Sequence, residues 1–367
     1  MPAGITCNNS RTVWKLEQRF ISGEECSTSA RRRLVTSLKP PPLPARLGAQ
    51  PDFESTALQI QHHLSPTTTF AIGPAGDLRT VRRVVIPIPF PLKTMNAWIL
   101  PDGAAWDLID CGCNNTETIT AWEQLVDRTQ MGRGPRRLFG THGHVDHVGC
   151  SALFVDRFGT RFSLTDKEYL QACETAAEIE ESSFRRKAFL QRHGVPAEQA
   201  AQLDAEYRSS MTHMGPQPET YDPVNDEDRI RLGSLTWRVM VAGGHAPAHA
   251  ALYSEEANIL IAGDHILPRI SPVIGVFSNG PRGNPLGTYL DSFDRFLTLP
   301  QDAFVLPSHG EPYFGLHQRI TALREHHAAR LDSLVQFLKP APRTAFALAG
   351  SLFPRAIASP QAGLALA

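Results

Sequence analysis

Residues 141–149 read Thr141-His142-Gly143-His144-Val145-Asp146-His147-Val148-Gly149. Four metal-binding side chains fall within six residues, and no regular helix or strand points all four one way. The spacing requires a tight loop. The apolar strand Arg137–Gly140 leads into it, and a helix over Asp146–Phe158 leads out. Four polar groups beside an apolar strand are costly to pack unless a metal or other partners satisfy them. Imidazole and carboxylate suit Zn²⁺, and Fe or Mn as well. Gly143 is expected to relieve crowding where the backbone approaches the metal.

Three later loops repeat the theme. His245 and His249 lie in Gly243-Gly244-His245-Ala246-Pro247-Ala248-His249, after a strand at Leu235–Val241. Asp264 and His265 follow Gly263 at the end of a strand over Asn258–Ala262. His309 stands between Ser308 and Gly310, after a strand at Ala303–Leu306. Each alone is a weak signal; with the first cluster they make chance a poor explanation. His249 and His265 are candidates to orient a ligand or to touch substrate, with a purely structural place as the alternative. His62, His63, His193, His213, His317, His326 and His327 lie outside the motifs and read as surface or helix-packing residues.

Residues 1–75 form a loosely specified extension, with a stiff extended stretch at Lys39–Pro44. Strands are expected at Val81–Ile88, Asn96–Leu100 and Trp106–Asp110, the last two joined by the Pro101-Asp102-Gly103 turn. A helix follows over Thr116–Thr129, and a short strand over Phe162–Leu164. Residues 166–215 read as a charged helical insertion. Strands resume at Arg229–Arg231, and Leu286–Leu297 is helical. The pattern implies an α/β chain: two mixed β-sheets flanked by helices, an αββα sandwich spanning 76–312. Beyond it, 313–367 is helical. One helix runs over Leu316–Leu338 and is stopped by Pro340 and Pro342. Thr344 caps another, which runs through Leu352.

Thirty-six Lys and Arg face 37 Asp and Glu. That balance disfavours a nucleic-acid partner held mainly through phosphates, and Arg31–Arg33 reads as a solvated tail. The six cysteines contain no CxxC pair and read as reduced thiols of a cytoplasmic protein. No apolar run approaches the length of a membrane span, so no membrane partner is expected.

The motif blocks together resemble the metallo-β-lactamase superfamily, with its HxHxDH signature and separate downstream His, Asp and His. Asp110-Cys111-Gly112 resembles the family's Asp-x-Gly at the end of an early strand. The resemblance implies that His142, His144 and His245 bind one ion and that Asp146, His147 and His309 bind a second, with Asp264 bridging. It implies that Asp110 orients a ligand without binding metal. His147 and Asp264 stand where the family's β-lactamases proper mostly depart, so the chain looks more like the glyoxalase II, lactonase and ribonuclease branches. Residues 324–330 resemble the start of a winged-helix-like C-terminal domain, here cut short.

The expected activity is a metal-dependent hydrolysis. A hydroxide held by two divalent metals, zinc before Fe or Mn, attacks an ester, thioester or lactone. Asp146 is expected to orient the water and take its proton. A ribonuclease is the alternative, and a mononuclear iron persulfide dioxygenase ranks below it. Phe184, Tyr207 and Phe277 are candidates to line the substrate pocket, and 279–285 a candidate flap. Oligomeric state is left open.

Overall fold

The computed structural model describes residues 60–62, 67–72, 79–128, 133–177, 182–278 and 283–353. The expectations placed on 1–59, on 279–282 of the flap and on the end of the C-terminal region lie outside these residues.

Eight strands build one sheet: β1 (Ile60–His62), β2 (Thr67–Ile72), β3 (Arg79–Pro87), β4 (Thr94–Asp102), β5 (Ala105–Ile109), β6 (Arg137–Phe139), β7 (Arg161–Leu164) and β8 (Asp222–Pro223). Pairing is antiparallel from β1 to β5 and parallel from β5 to β8. Five more form the second sheet in the order β13-β12-β11-β10-β9: β9 (Arg229–Leu232), β10 (Leu235–Ala242), β11 (His249–Ser254), β12 (Ile259–Gly263) and β13 (Phe304–Pro307). Here only β12 and β13 run parallel.

Strand alternation explains the layers. On β4, Trp98 and Leu100 face Trp237, Val239 and Leu252 between the sheets. Ala97 and Ile99 face outward, where helices cover the first sheet. These are α1 (Thr116–Arg128), α2 (Val145–Val148), α3 (Ser151–Phe158) and α4 (Asp166–Ala177), contributing Trp122, Phe154 and Tyr169. The outer face of the second sheet, Met240, Tyr253 and Leu260, is buried by Phe293 and Ile320. The αββα sandwich is therefore the fold.

Two further helices of the insertion, α5 (Ser183–Arg192) and α6 (Ala197–Met211), precede α7 (Pro285–Phe296), α8 (Leu316–Leu338) and α9 (Ala345–Leu352). Thr344 accepts from the Ala347 N–H and caps α9. That helix packs on the insertion: Phe346 joins Leu190, Val195 and Leu203, and its N–H donates to the His193 carbonyl at 3.1 Å. No helix among the described residues is long and apolar enough to cross a membrane.

Three expectations need correction. The sheet begins before residue 76, since β1 and β2 fall within the extension and β2 pairs with β3. The single helix expected over Asp146–Phe158 is two, α2 and α3. The Cys150 N–H donates to the Gly112 carbonyl at 3.1 Å, which interrupts the helical ladder. Cys111, Cys113 and Cys150 are free and buried, but Cys173 is disulfide-bonded. Its half-buried place on α4 leaves it reachable by a second thiol, unlike the other three.

Candidate metal centre

Strand ends of both sheets converge on one point. The loop after β6 carries His142 and His144, and α2 carries Asp146 and His147. The loop between β10 and β11 brings His245, the turn after β12 brings Asp264, and the turn after β13 brings His309. His142 Nε2 lies 2.9 Å from His144 Nδ1 and 3.2 Å from His245 Nε2. Asp264 Oδ2 is 3.5 Å from His245 Nε2. Its Oδ1 is 3.6 Å from His147 Nε2 and 3.4 Å from His309 Nε2. Asp146 Oδ2 stands 3.5 Å from His309 Nε2. His144 and Asp146 alone of the seven are half-buried, and they mark the open side.

Fixed partners aim the imidazoles. Asp110 Oδ2 accepts from His147 Nδ1 at 2.8 Å, the Val273 carbonyl from His245 Nδ1 at 2.7 Å, and the Thr94 carbonyl from His309 Nδ1 at 2.9 Å. Each turns its Nε2 towards the centre. Asp110 also accepts from the Thr141 N–H at 2.8 Å and from its hydroxyl at 2.9 Å. It does so from a left-handed backbone, φ 57°, which a non-glycine residue rarely adopts.

The donor set fits divalent cations. Among the described residues, three groups hold ligand atoms within 4.8 Å of one another: His142 with His144 and His245, His142 with His147 and Asp264, and Asp146 with His147 and His309. His147 Nε2 and Asp264 Oδ1 are buried without a hydrogen-bond partner. Unsatisfied buried atoms cost about 1–3 kcal/mol each, and a shared cation would satisfy both.

Electrostatics divide the site. Burial, aided by neighbouring imidazoles, holds His142 well below the usual histidine range and His144 down at about 3. Burial also lowers His245, against the pull of Asp264. All three are neutral, the form that binds metal. Burial opposes protonation of His309 too, but the Asp264 and Asp146 carboxylates outweigh it and raise the group to about 9. Asp110, Asp264 and Asp146 likewise outweigh burial at His147.

A pH dependence follows for chelator-treated protein. The folded His309 value lies above the unfolded value of about 6.5, so folding takes up a proton between them. That stabilisation is complete below pH ~6.5 and is lost as pH rises through about 9. The urea midpoint should therefore fall across this window, and a flat or rising midpoint rejects the charge balance described.

His249 and His265 differ in what they do. His249 Nε2 accepts from the Asp264 N–H at 3.2 Å, so it holds that residue's backbone. His265 turns towards α7 and meets Ser292 Oγ at 2.7 Å. Gly143 is required for a different reason from the one expected: a Cβ there would stand 2.4 Å from the Glu168 carbonyl oxygen. Of the pocket candidates, Tyr207 lies under the Arg186 guanidinium within the insertion, while Phe184 and Phe277 are exposed.

Asn96 escaped the sequence reading. Its side-chain amide donates to the Pro307 and Gly310 carbonyls at 2.9 and 2.7 Å, and its backbone N–H donates to Ser308. It thereby cages the His309 turn. The available signal was a lone amide inside the apolar run Met95–Leu100, where a buried polar group needs partners.

The sequence profile of the metallo-β-lactamase superfamily matches residues 94–309. A solved β-lactamase domain protein from Burkholderia ambifaria is 34% identical, with a TM-score of 0.68 over 82% of this chain and 87% of that one. A metallo-β-lactamase family protein from Thermus thermophilus is 31% identical, with a TM-score of 0.65 over 78% and 91%. A protein of Bacillus subtilis (strain 168), described as a probable metallo-hydrolase, is 26% identical over 73% of this chain and 83% of its own length.

Proposed function

Because the chain belongs to the metallo-β-lactamase superfamily, we propose that this metallo-hydrolase works with two divalent cations, zinc before iron or manganese. Its substrate in this reading is an ester, thioester or lactone of a small molecule. The observation that carries the reading is the convergence of all seven donors within overlapping groups. His142, His144 and His245 would hold one ion, Asp146, His147 and His309 the other, and Asp264 would lie between them.

When bound, the cations supply Lewis acidity and bring the pKa of a shared water towards neutrality. The chain's own residues do the rest. Asp146 would orient the attacking water and accept its proton; its half-buried carboxylate, 3.5 Å from His309, supports this by lying on the open side. The fixed Nδ1 partners of His147, His245 and His309 keep the donors preorganised, so little rearrangement accompanies the reaction. The buried thiols Cys111, Cys113 and Cys150 support a cytoplasmic site of action, and the disulfide at Cys173 counts against it.

Elemental analysis of the purified chain, paired with thioester, lactone and single-stranded RNA substrates, tests this. We expect two zinc ions per chain, chelator-sensitive ester or thioester cleavage, and reduced metal content in both His142→Ala and His309→Ala. Metal content unchanged in either variant refutes the assignment. Chelator-sensitive RNA cleavage without esterase activity moves the protein to the ribonuclease reading. One iron per chain with oxygen consumption moves it to the oxygenase branch.

A further inference from the structure

Glu168 lies in the first turn of α4 and is fully buried. Its Oε2 accepts from the Gly143 N–H at 2.8 Å, and its Oε1 accepts from the Ala248 N–H at 2.6 Å. Both oxygens thus serve backbone donors, and the donors lie on loops of different sheets. Gly143 sits between His142 and His144 after β6, and Ala248 sits between His245 and β11. Thr165 Oγ1, one turn earlier, donates to the Ala248 carbonyl at 3.0 Å. The peptides on both sides of Ala248 are therefore tied to the start of α4. The missing Cβ of Gly143 permits the close approach.

We propose that Glu168 is a positioning residue whose carboxylate fixes the spacing between the two loops that supply His142, His144 and His245. The inference rests on the dinuclear reading above. The second group is held by other means: His147 by Asp110, and His309 by the Thr94 carbonyl and the Asn96 cage. The clamp therefore acts on one ion and not the other. Its chemistry also demands a carboxylate. Glutamine has one acceptor oxygen, so it would set an amide donor against one of the two N–H groups.

The test is Glu168→Gln in the full chain, titrated with Zn²⁺ against a competing chelator at fixed pH. Affinity for one of the two ions should fall roughly 10- to 100-fold, with the other unchanged. In the metal-free protein, amide exchange at Gly143 or Ala248 should speed up. Thr165→Val, a milder cut of the same tie, should shift the same ion by less, and it stands in if the glutamine variant does not fold. Wild-type affinity for both ions overturns the clamp. So does equal weakening of both with a lower melting temperature, which is what a merely structural role would give. A wild-type chain that binds a single ion defeats the dinuclear reading instead. The clamp is then upheld or overturned by whether that ion binds more weakly in the variant.

Discussion

Replacing Asp264 with alanine is expected to lower hydrolysis by roughly 10²- to 10³-fold and to reduce bound metal below two ions per chain. Its carboxylate faces both halves of the centre, Oδ2 towards His245 at 3.5 Å and Oδ1 towards His147 and His309 at 3.6 and 3.4 Å. Burial alone would raise its pKa, but the His309 and His147 charges outweigh burial and hold it well below the usual carboxylate range. The group is therefore an anion in the metal-free protein, and bound cations would hold it so in place of the imidazolium charges. Asp264→Asn separates charge from shape, because it keeps the volume and the His249 contact to the backbone. Both variants should lose metal, measured by elemental analysis, and turnover, measured on the best substrate of the panel. Two ions and activity within tenfold of wild type in the alanine variant would sink the bridging role.

Asp110→Ala should destabilise the metal-free chain by about 3–5 kcal/mol, the usual cost of removing one partner from a buried charge pair. Three donors lose their acceptor at once: His147 Nδ1, the Thr141 N–H and the Thr141 hydroxyl. Alanine also inherits a left-handed backbone that it tolerates poorly. Urea unfolding of chelator-treated protein measures the loss directly, and a change under ~1 kcal/mol would contradict the network. With metal restored, a misaimed His147 should still weaken ion binding roughly 10- to 100-fold.

Much of this was legible because the signals are local. The hairpin of β4 and β5, the strand ends bearing His245, Asp264 and His309, and the Thr344 cap all follow from periodicity and turn chemistry within a few residues. The departures depend on contacts that a local pattern does not carry. The break between α2 and α3 depends on the Gly112 carbonyl, which is distant in sequence from Cys150. The Glu168 contacts span 25 and 80 residues, and in sequence that residue is one more acid near a helix start. Asn96 finds its side-chain partners 211 and 214 residues downstream, in the His309 turn. The docking of α9 on the insertion needed tertiary structure, since apolar residues of both were compatible with other partners.

The distances along the chain set the order in which this centre can come into being. His142 and His245 are 103 residues apart, and His309 is braced by a carbonyl 215 residues upstream. A nascent or half-folded chain has the compact HxHxDH stretch but neither the second sheet nor its three ligands. Closing such long loops is a late event, so a full-affinity cradle appears only after the two sheets have docked. Selection among divalent ions would then fall to a finished protein, through the rigidity of its cavity and the supply of ions in the cell. Metal delivered during refolding should add little to the folding rate and mainly slow unfolding.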